Sequence, residues 1–189
     1  MRGKVPAAEY LPESKWKPLR ERPLTMDQAF AIFRHGEGLG FATITGAASR
    51  VAVIDVDPRN GGTLEGLELP DTPTERTPQG GAHLYFAIPE GITLRSVDLR
   101  SGVELLAEGK YCVTAPSAGY EWHEGKSPDD LPLAPLPTWV LETARASGAM
   151  AAEACETPVN EGGTSSKYSL LVPGDDPPLS TDNMADCSS

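Results

Sequence analysis

Two aspartates stand two residues apart at the end of an apolar run in this 189-residue chain. The run V-A-V-I-D-V-D spans residues 51–57, and Pro58 with a glycine-containing turn ends it, which is typical of a short buried strand. Side chains alternate along a strand, so Asp55 and Asp57 share one face, roughly 7 Å apart. A divalent cation relieves the repulsion between two such carboxylates, and their hard oxygen atoms favour Mg²⁺ or Mn²⁺. The alternative is that both aspartates only cap the turn.

A histidine and a glutamate occupy comparable positions later in the chain. His83 follows Gly80 and Gly81 and lies on a predicted strand over residues 82–88. The two glycines would allow a ligand to approach bare backbone N–H groups. A single strand histidine is, however, more often a hydrogen-bonded core residue. Glu104 stands among aliphatic residues in V-E-L-L, a predicted strand over residues 103–106.

Asp55, Asp57, Glu104 and His83 together suit two-metal phosphoryl transfer. In that chemistry carboxylates bridge two cations roughly 4 Å apart, which activate the attacking oxygen and stabilise the leaving one. The histidine and the glycine backbone would hold a triphosphate. The same arrangement also hydrolyses phosphodiesters, so a nuclease is an alternative. A further alternative is that all four residues only cap their strands.

The elements that would position these residues follow from local patterns. Thr25 and Gln28 form a capping-box pattern, which predicts a helix to about Arg34. The apolar stripe of this helix is expected to face the core: Met26, Ala29, Phe30 and Phe33. A strand over residues 39–45 is separated from the central strand by a short Gly/Ala/Ser turn, which predicts a β-hairpin.

The rest of the chain alternates short strands with turns. Further strands are predicted over residues 94–100, 110–115 and 120–122, and short helices over residues 63–69 and 138–146, the second after a Pro-rich linker at 128–137. Residues 1–146 are therefore expected to form one domain with both helices and strands. Residues 147–189 are acidic and polar with few large apolar side chains, and this tail is expected to be disordered.

Composition limits the class of protein. The net charge of −11 argues against a generic nucleic-acid binder, but residues 1–34 carry a net charge of +3. No apolar run approaches the roughly 20 residues of a membrane span, and the N-terminus lacks the apolar core of a signal peptide. A cytoplasmic protein without membrane contact is expected. The three widely spaced cysteines match no metal spacing and are expected to be free thiols without a role: Cys112, Cys155 and Cys187.

Several short motifs, taken in order, resemble those of the archaeo-eukaryotic primase superfamily. Within it, the chain is most similar to the bifunctional primase–polymerase (prim-pol) N-terminal domain of phage, prophage and plasmid replication proteins. The resemblance covers roughly residues 3–146 and rests on G-K-V-P, G-F-A-T-I-T-G, V-I-D-V-D, T-P-Q-G-G-A-H-L-Y-F, G-V-E-L, G-K-Y-C-V-T-A-P-S and Y-E-W.

The resemblance implies an α+β fold with an RRM-like mixed sheet that carries the active site and has flanking helices. It implies template-directed nucleotidyl transfer from nucleoside triphosphates on single-stranded DNA, with a two-metal Mg²⁺ or Mn²⁺ site. Asp55, Asp57 and Glu104 would be the catalytic metal ligands, with Asp98 in place of Glu104 as the alternative third acid, and His83 would contact the phosphates. Further nucleotide contacts are implied at Gly80, Gly81, Thr77, Lys110 and Lys4.

Two departures from the family pattern keep a second class of function open. The helix expected before G-K-x-P is missing, and no helicase domain follows in this sequence. A stand-alone module, a fragment of a longer replication protein or a decayed copy would fit, and a replicative helicase is a possible partner. The alternative to an enzyme is a catalytically weak module that binds nucleotide or single-stranded DNA for such a helicase.

Overall fold

The computed structural model describes residues 1, 3–35 and 38–152, and these belong to one compact unit. The described residues form a mixed α+β structure with mostly antiparallel sheets and two α-helices. Helix α1 is Met26–His35 and helix α2 is Thr138–Ala146. Four short 3-10 helices are also present: Ala8–Tyr10, Pro12–Ser14, Lys17–Arg20 and Pro58–Asn60.

The predicted capping box at the start of α1 is confirmed. The backbone N–H of Thr25 donates to Gln28 Oε1 at 2.9 Å, and the Gln28 N–H donates to Thr25 Oγ1 at 3.2 Å. This reciprocal pair satisfies two of the N–H groups that the first turn of a helix leaves free.

The strands are short. In chain order they are β1 (Phe41–Ile44), β2 (Val51–Val56), β3 (Thr74–Arg76), β4 (Ala82–Ala87), β5 (Ile92–Leu94), β6 (Val97–Arg100), β7 (Val103–Leu106), β8 (Tyr111–Thr114), β9 (Glu121–Trp122), β10 (Ala134–Pro135) and β11 (Met150–Ala152).

One sheet dominates the described structure. Its strand order is β6-β7-β2-β4-β3-β9, and β10 pairs in parallel with β4. All the other pairings in this sheet are antiparallel, and β2 lies between β7 and β4. Two smaller ladders join β1 to β8 and β5 to β11.

The two faces of this sheet differ in chemistry. The main apolar core lies on the face that α2 covers, where Ile54, Leu84 and Phe86 pack with Val140 and Ala144 of α2. On the opposite face a smaller cluster includes Val53, Tyr85, Leu106 and Cys112. Because side chains alternate along a strand, a residue two positions away from a member of this cluster lies on the same face of the sheet.

The predicted hairpin between the first two strands is wrong. β1 pairs with β8 in the register Phe41↔Thr114, and only a single bridge, Gly46↔Val51, connects it to β2. Beyond its last residue the chain continues along the same partner, because Thr45 N–H donates to the Lys110 carbonyl and Thr45 Oγ1 donates to the Ala107 carbonyl.

The predicted inward stripe of α1 is wrong at two positions. Met26 is 68% exposed and Phe30 is 54% exposed. The helix instead packs through Ala29 and Ile32, which line an apolar cavity of about 180 Å³ together with Trp16 and neighbouring residues of the N-terminal segment. The expected helix over residues 63–69 is absent as well, since the chain there forms turns beside its glycines.

The ordered chain continues beyond residue 146. Met150–Ala152 forms β11 on β5, and Ala149 is buried in the main core. The Pro-rich segment 128–137 also packs against the body, through β10 and buried Leu136. The expectation of disorder for residues 147–189 stays a prediction for residues 153–189, which lie outside the described residues.

Candidate active site

A row of polar side chains crosses the centre of the large sheet. The register places Asp55 opposite His83 on one side and opposite Glu104 on the other. Asp98 lies opposite Glu104, and Glu75 lies opposite His83. Directly paired residues project from the same face, so all five share it. The row runs from β6 to β3 on the face away from α2.

Asp55, Asp57 and Glu104 line one cavity of about 210 Å³, together with Asp98. The structure therefore brings together the three acids selected from the sequence. Asp98 lies one strand farther out and is exposed, whereas the side chain of Glu104 is 36% exposed. Glu104, which pairs directly with Asp55, is therefore closer to Asp55 along the row than Asp98 is.

Asp57 accepts hydrogen bonds from two residues of its own turn, Arg59 and Asn60. Arg59 donates from Nε to Asp57 Oδ1 at 3.0 Å and from Nη2 to Oδ2 at 2.8 Å. The Arg59 backbone N–H and the Asn60 side-chain amide donate to the same carboxylate. The hydrogen bond from the Arg59 side chain lowers the pKa of Asp57, so this group stays ionised. Nothing in the local sequence distinguishes Arg59 from the other residues of the turn after Pro58.

Glu75, a residue that the sequence analysis did not select, contacts the ring of His83. Its Nδ1 lies 2.7 Å from Glu75 Oε1, and its Nε2 lies 3.6 Å from Asp55 Oδ1. The carboxylate of Glu75 is fully buried and also accepts hydrogen bonds from Tyr85, Thr114 and the Ala115 N–H. The sequence of residues 69–81, which include Glu75, is typical of a Pro-rich loop. Within it, only the three residues T-E-R suggest a strand.

A second cavity, of about 400 Å³, opens beside the acids. Asp55 and His83 form part of its wall, and both predicted lysines line it: Lys4 and Lys110. Aromatic rings complete the wall. Trp16 and Tyr111 meet edge to face with centroids 4.9 Å apart, and Tyr120 lies 5.8 Å from the His83 ring at a tilt of 32°. Burial raises the pKa of Tyr120, which keeps its hydroxyl neutral.

This arrangement joins carboxylates, cations and aromatic faces in two adjoining cavities. A family model described as bifunctional DNA primase/polymerase, N-terminal, matches residues 1–139. The chain belongs to this prim-pol family. DNA primase/polymerase-type function and nucleotidyltransferase activity are general to the family. No curated protein and no solved structure matches the chain.

Two glycines expected at the nucleotide use their N–H groups within their own turn. The N–H of Gly80 donates to the Thr77 carbonyl, and the N–H of Gly81 donates to Thr77 Oγ1. A nucleotide contact at Gly80 and Gly81 stays a prediction. A Cβ at Gly81 would overlap the Val56 carbonyl oxygen, so this glycine allows close contact of the turn with β2.

The remaining predicted nucleotide contacts line the site. Thr77 and Lys4 share a small cavity with Asp55, Asp57, His83 and Arg59. Lys110 Nζ lies 3.4 Å from Glu104 Oε1, and both side chains are partly exposed. Among the residues that the structure describes, no three His, Cys, Asp or Glu side chains form a ready metal-binding group. Across the same residues no helix is long and apolar enough to span a bilayer.

The identity of the third prim-pol acid leads to a matched pair of variants. Glu104→Gln should reduce nucleotide incorporation by about 100-fold, because a neutral amide would be a poorer ligand than a carboxylate for the metal that the resemblance implies. Asp98→Asn removes the same charge from the same cavity and should have little effect. Initial rates of incorporation at saturating Mn²⁺ measure both. A larger loss in Asp98→Asn than in Glu104→Gln would assign the role to Asp98.

Proposed function

We propose that this prim-pol domain is a metal-dependent, template-directed nucleotidyltransferase that makes or extends primers from NTPs or dNTPs on single-stranded DNA. The observation that carries the proposal is the convergence of Asp55, Asp57 and Glu104 on one cavity, beside a second cavity that His83 and two lysines line. We further propose that the large sheet is the RRM-like core of the archaeo-eukaryotic primase type.

The donor set fits Mg²⁺ or Mn²⁺. Three carboxylates supply only hard oxygen ligands, which these cations prefer. Asp55 faces both cavities, and its Oδ1 lies 3.6 Å from His83 Nε2. Asp57 would exchange Arg59 for the cation, and Glu104 would exchange Lys110. When bound, the metal pair would activate the attacking hydroxyl and neutralise charge on the phosphates.

The other groups of the site would bind and orient the nucleotide. His83 presents Nε2 to the cavities, within reach of a phosphate oxygen. Lys4 and Lys110 would add positive charge around the triphosphate, where phosphate is best stabilised by fixed cations. Trp16 and Tyr111 would offer aromatic surface for a base, since every base has a face that stacks on such rings.

The basic N-terminal segment is the proposed contact for template phosphates. Residues 1–34 carry a net charge of +3 in a chain of net charge −11. The long-range field therefore favours a short contact with single-stranded DNA over wrapping of a duplex. A replicative helicase as partner, a phage, prophage or plasmid origin and a cytoplasmic location complete the proposal.

One observation favours a second candidate, a nucleotide-binding or single-stranded-DNA-binding module with little catalysis. Both oxygens of Asp57 accept hydrogen bonds from Arg59 or Asn60. While these bonds are made, the carboxylate is not available as a metal ligand. In such a module the cavity beside His83 would still accept a triphosphate. A two-metal nuclease is the remaining outcome of the same ligand chemistry.

Primer extension on a single-stranded template tests the proposal. Labelled dNTP or NTP is supplied with Mn²⁺ or Mg²⁺, and the native chain is compared with Asp55→Ala/Asp57→Ala. Extension by the native chain alone is the expected result, because the double variant removes two of the three acids. Asp129→Asn, at an exposed carboxylate away from these cavities, is the control. Nucleotide binding without extension would favour the binding module, and template degradation would favour the nuclease.

A further inference from the structure

Glu75 is a fully buried acid at the β3 end of the acid row. Its side chain is 0% exposed. An ionised carboxylate in such a place is unfavourable unless it is fully hydrogen-bonded. Apolar residues of similar volume commonly replace buried charges at no loss of stability. A carboxylate at this position therefore calls for an explanation beyond packing.

Four donors converge on the two oxygens of Glu75. Oε1 lies 2.7 Å from His83 Nδ1 and accepts from the Tyr85 hydroxyl at 2.7 Å. Oε2 accepts from Thr114 Oγ1 at 3.0 Å and from the Ala115 N–H at 2.7 Å. Burial raises the pKa of Tyr85, so its phenol remains a donor. All four partners can donate to the carboxylate, whose oxygens accept.

These donors come from two different ladders. His83 and Tyr85 stand two residues apart on β4 of the large sheet, whereas Thr114 and Ala115 lie at the end of β8, which pairs with β1. Glu75 on β3 thus connects the large sheet to the β1–β8 pair next to the cavity that contains Lys110 and Tyr111. The carboxylate cannot shift without breaking contacts on both sides.

This fixation determines which nitrogen of His83 faces the site. Because Glu75 Oε1 only accepts, Nδ1 must carry a proton. The ring is thereby oriented, and Nε2 is left for the cavity, 3.6 Å from Asp55 Oδ1. With Nδ1–H donating to Glu75, Nε2 can donate to a phosphate oxygen only when it also carries a proton, as in the imidazolium form. Carboxylates that contact the far nitrogen of metal-ligating histidines orient those rings in the same way.

We propose that Glu75 is a positioning residue that holds the His83 ring through its Nδ1–H, so that an Nε2–H of the imidazolium form would donate to the phosphates of the incoming nucleotide. The inference rests on the proposed function for the ligand that His83 meets, and on the structure alone for the hydrogen-bond network. Glu75 itself touches no substrate, since it has no exposed surface.

The ring nitrogens of His83 provide the first test. The chain has three histidines, so long-range ¹H–¹⁵N spectra of ¹⁵N-labelled protein are simple to assign, with His83→Asn identifying the His83 signals. We expect protonated Nδ1 in the native chain at neutral pH. In Glu75→Gln an NH₂ group replaces one acceptor oxygen, so the Nδ1-protonated population should fall. An unprotonated Nδ1 in the native chain would overturn the inference, even if no variant folds.

Nucleotide affinity provides the second test. Glu75→Gln should raise KM for the nucleotide by about 10- to 100-fold, as loss of such an orienting partner does elsewhere, with a smaller change in kcat. Thr114→Val is the matched control, because it removes another hydrogen bond to Glu75 and leaves the contact with His83. Its KM should stay at the native value. An equal rise in both variants would reduce Glu75 to a structural role.

The two tests separate failure of this inference from failure of the proposed function. If the native chain extends no primer, the dissociation constant of dATP with Mn²⁺ replaces KM in the same comparison. If it binds no nucleotide either, the proposed function fails, and the histidine spectra still decide whether Glu75 fixes the His83 ring.

Discussion

Asp55→Asn is expected to reduce nucleotide incorporation by at least about 100-fold while the fold stays as stable as the native one or becomes more stable. The loss of activity follows from the position of Asp55, which lines both the cavity that it shares with Asp57 and Glu104 and the larger cavity beside His83. An amide keeps the shape of the side chain but removes the negative charge that a cation requires.

The gain in stability follows from the register. Asp55 lies directly opposite Glu104, which lies directly opposite Asp98, and like charges in opposite positions destabilise a sheet. Neutralising Asp55 removes its repulsion with Glu104. The partial exposure of Asp55 limits the size of the effect, because solvent screens the charges.

Incorporation rates and thermal unfolding of the same preparations measure this pair of effects. Asp129→Asn again serves as the control for loss of one carboxylate. Native-like incorporation in Asp55→Asn would remove this residue from the catalytic set. A melting temperature several degrees below that of the native chain would instead mean that Asp55 has a structural role.

The largest expected loss of stability is that of Phe86→Ala. Phe86 lies on β4 with no exposed surface and packs in the main core between the sheet and α2. Truncation of a buried phenylalanine typically lowers the free energy of unfolding by about 3–5 kcal/mol, since it combines lost transfer energy with a cavity. Partial collapse around the space would give the lower value.

Phe30→Ala is the matched control for Phe86→Ala. Phe30 is 54% exposed on α1, so its truncation should change the free energy of unfolding by no more than about 0.5 kcal/mol. Urea denaturation of the three proteins gives both differences. Similar losses for the two variants would contradict the assignment of the core to the α2 side of the sheet.

The two phenylalanines also separate what the sequence could predict from what it could not. Local signals were sufficient for the strand that ends at Val56, for the strand that begins at Ala82 and for helix Thr138–Ala146. Each has a clear pattern inside its own residues. Phe30 belongs to an equally clear apolar stripe, but whether another surface covers that stripe depends on tertiary packing, which no local pattern records.

The pairing of strands that are distant in the sequence also could not be predicted. The turn before Val51 suggests a hairpin, but Phe41–Ile44 pairs with a strand that begins at Tyr111 instead.

The candidate site shows the same contrast between residues with a local sequence signal and residues that only the fold brings together. The acids Asp55, Asp57 and Glu104 stand out beside apolar runs, whereas Glu75 is one acid in a proline-rich segment. Its importance appears only when its partners on β4 and β8 are brought next to it.

The position of the acid row at the middle of the sheet gives the two parts of the site different resistance to local opening. β2 is hydrogen-bonded on both sides, so its amide hydrogens should be among the slowest to exchange with solvent. Lys4 and Trp16 belong instead to an N-terminal segment of short 3-10 turns, whose amides should exchange early. The acids proposed as metal ligands would thus stay in place while local opening of the segment with Lys4 and Trp16 would admit and release the proposed nucleotide.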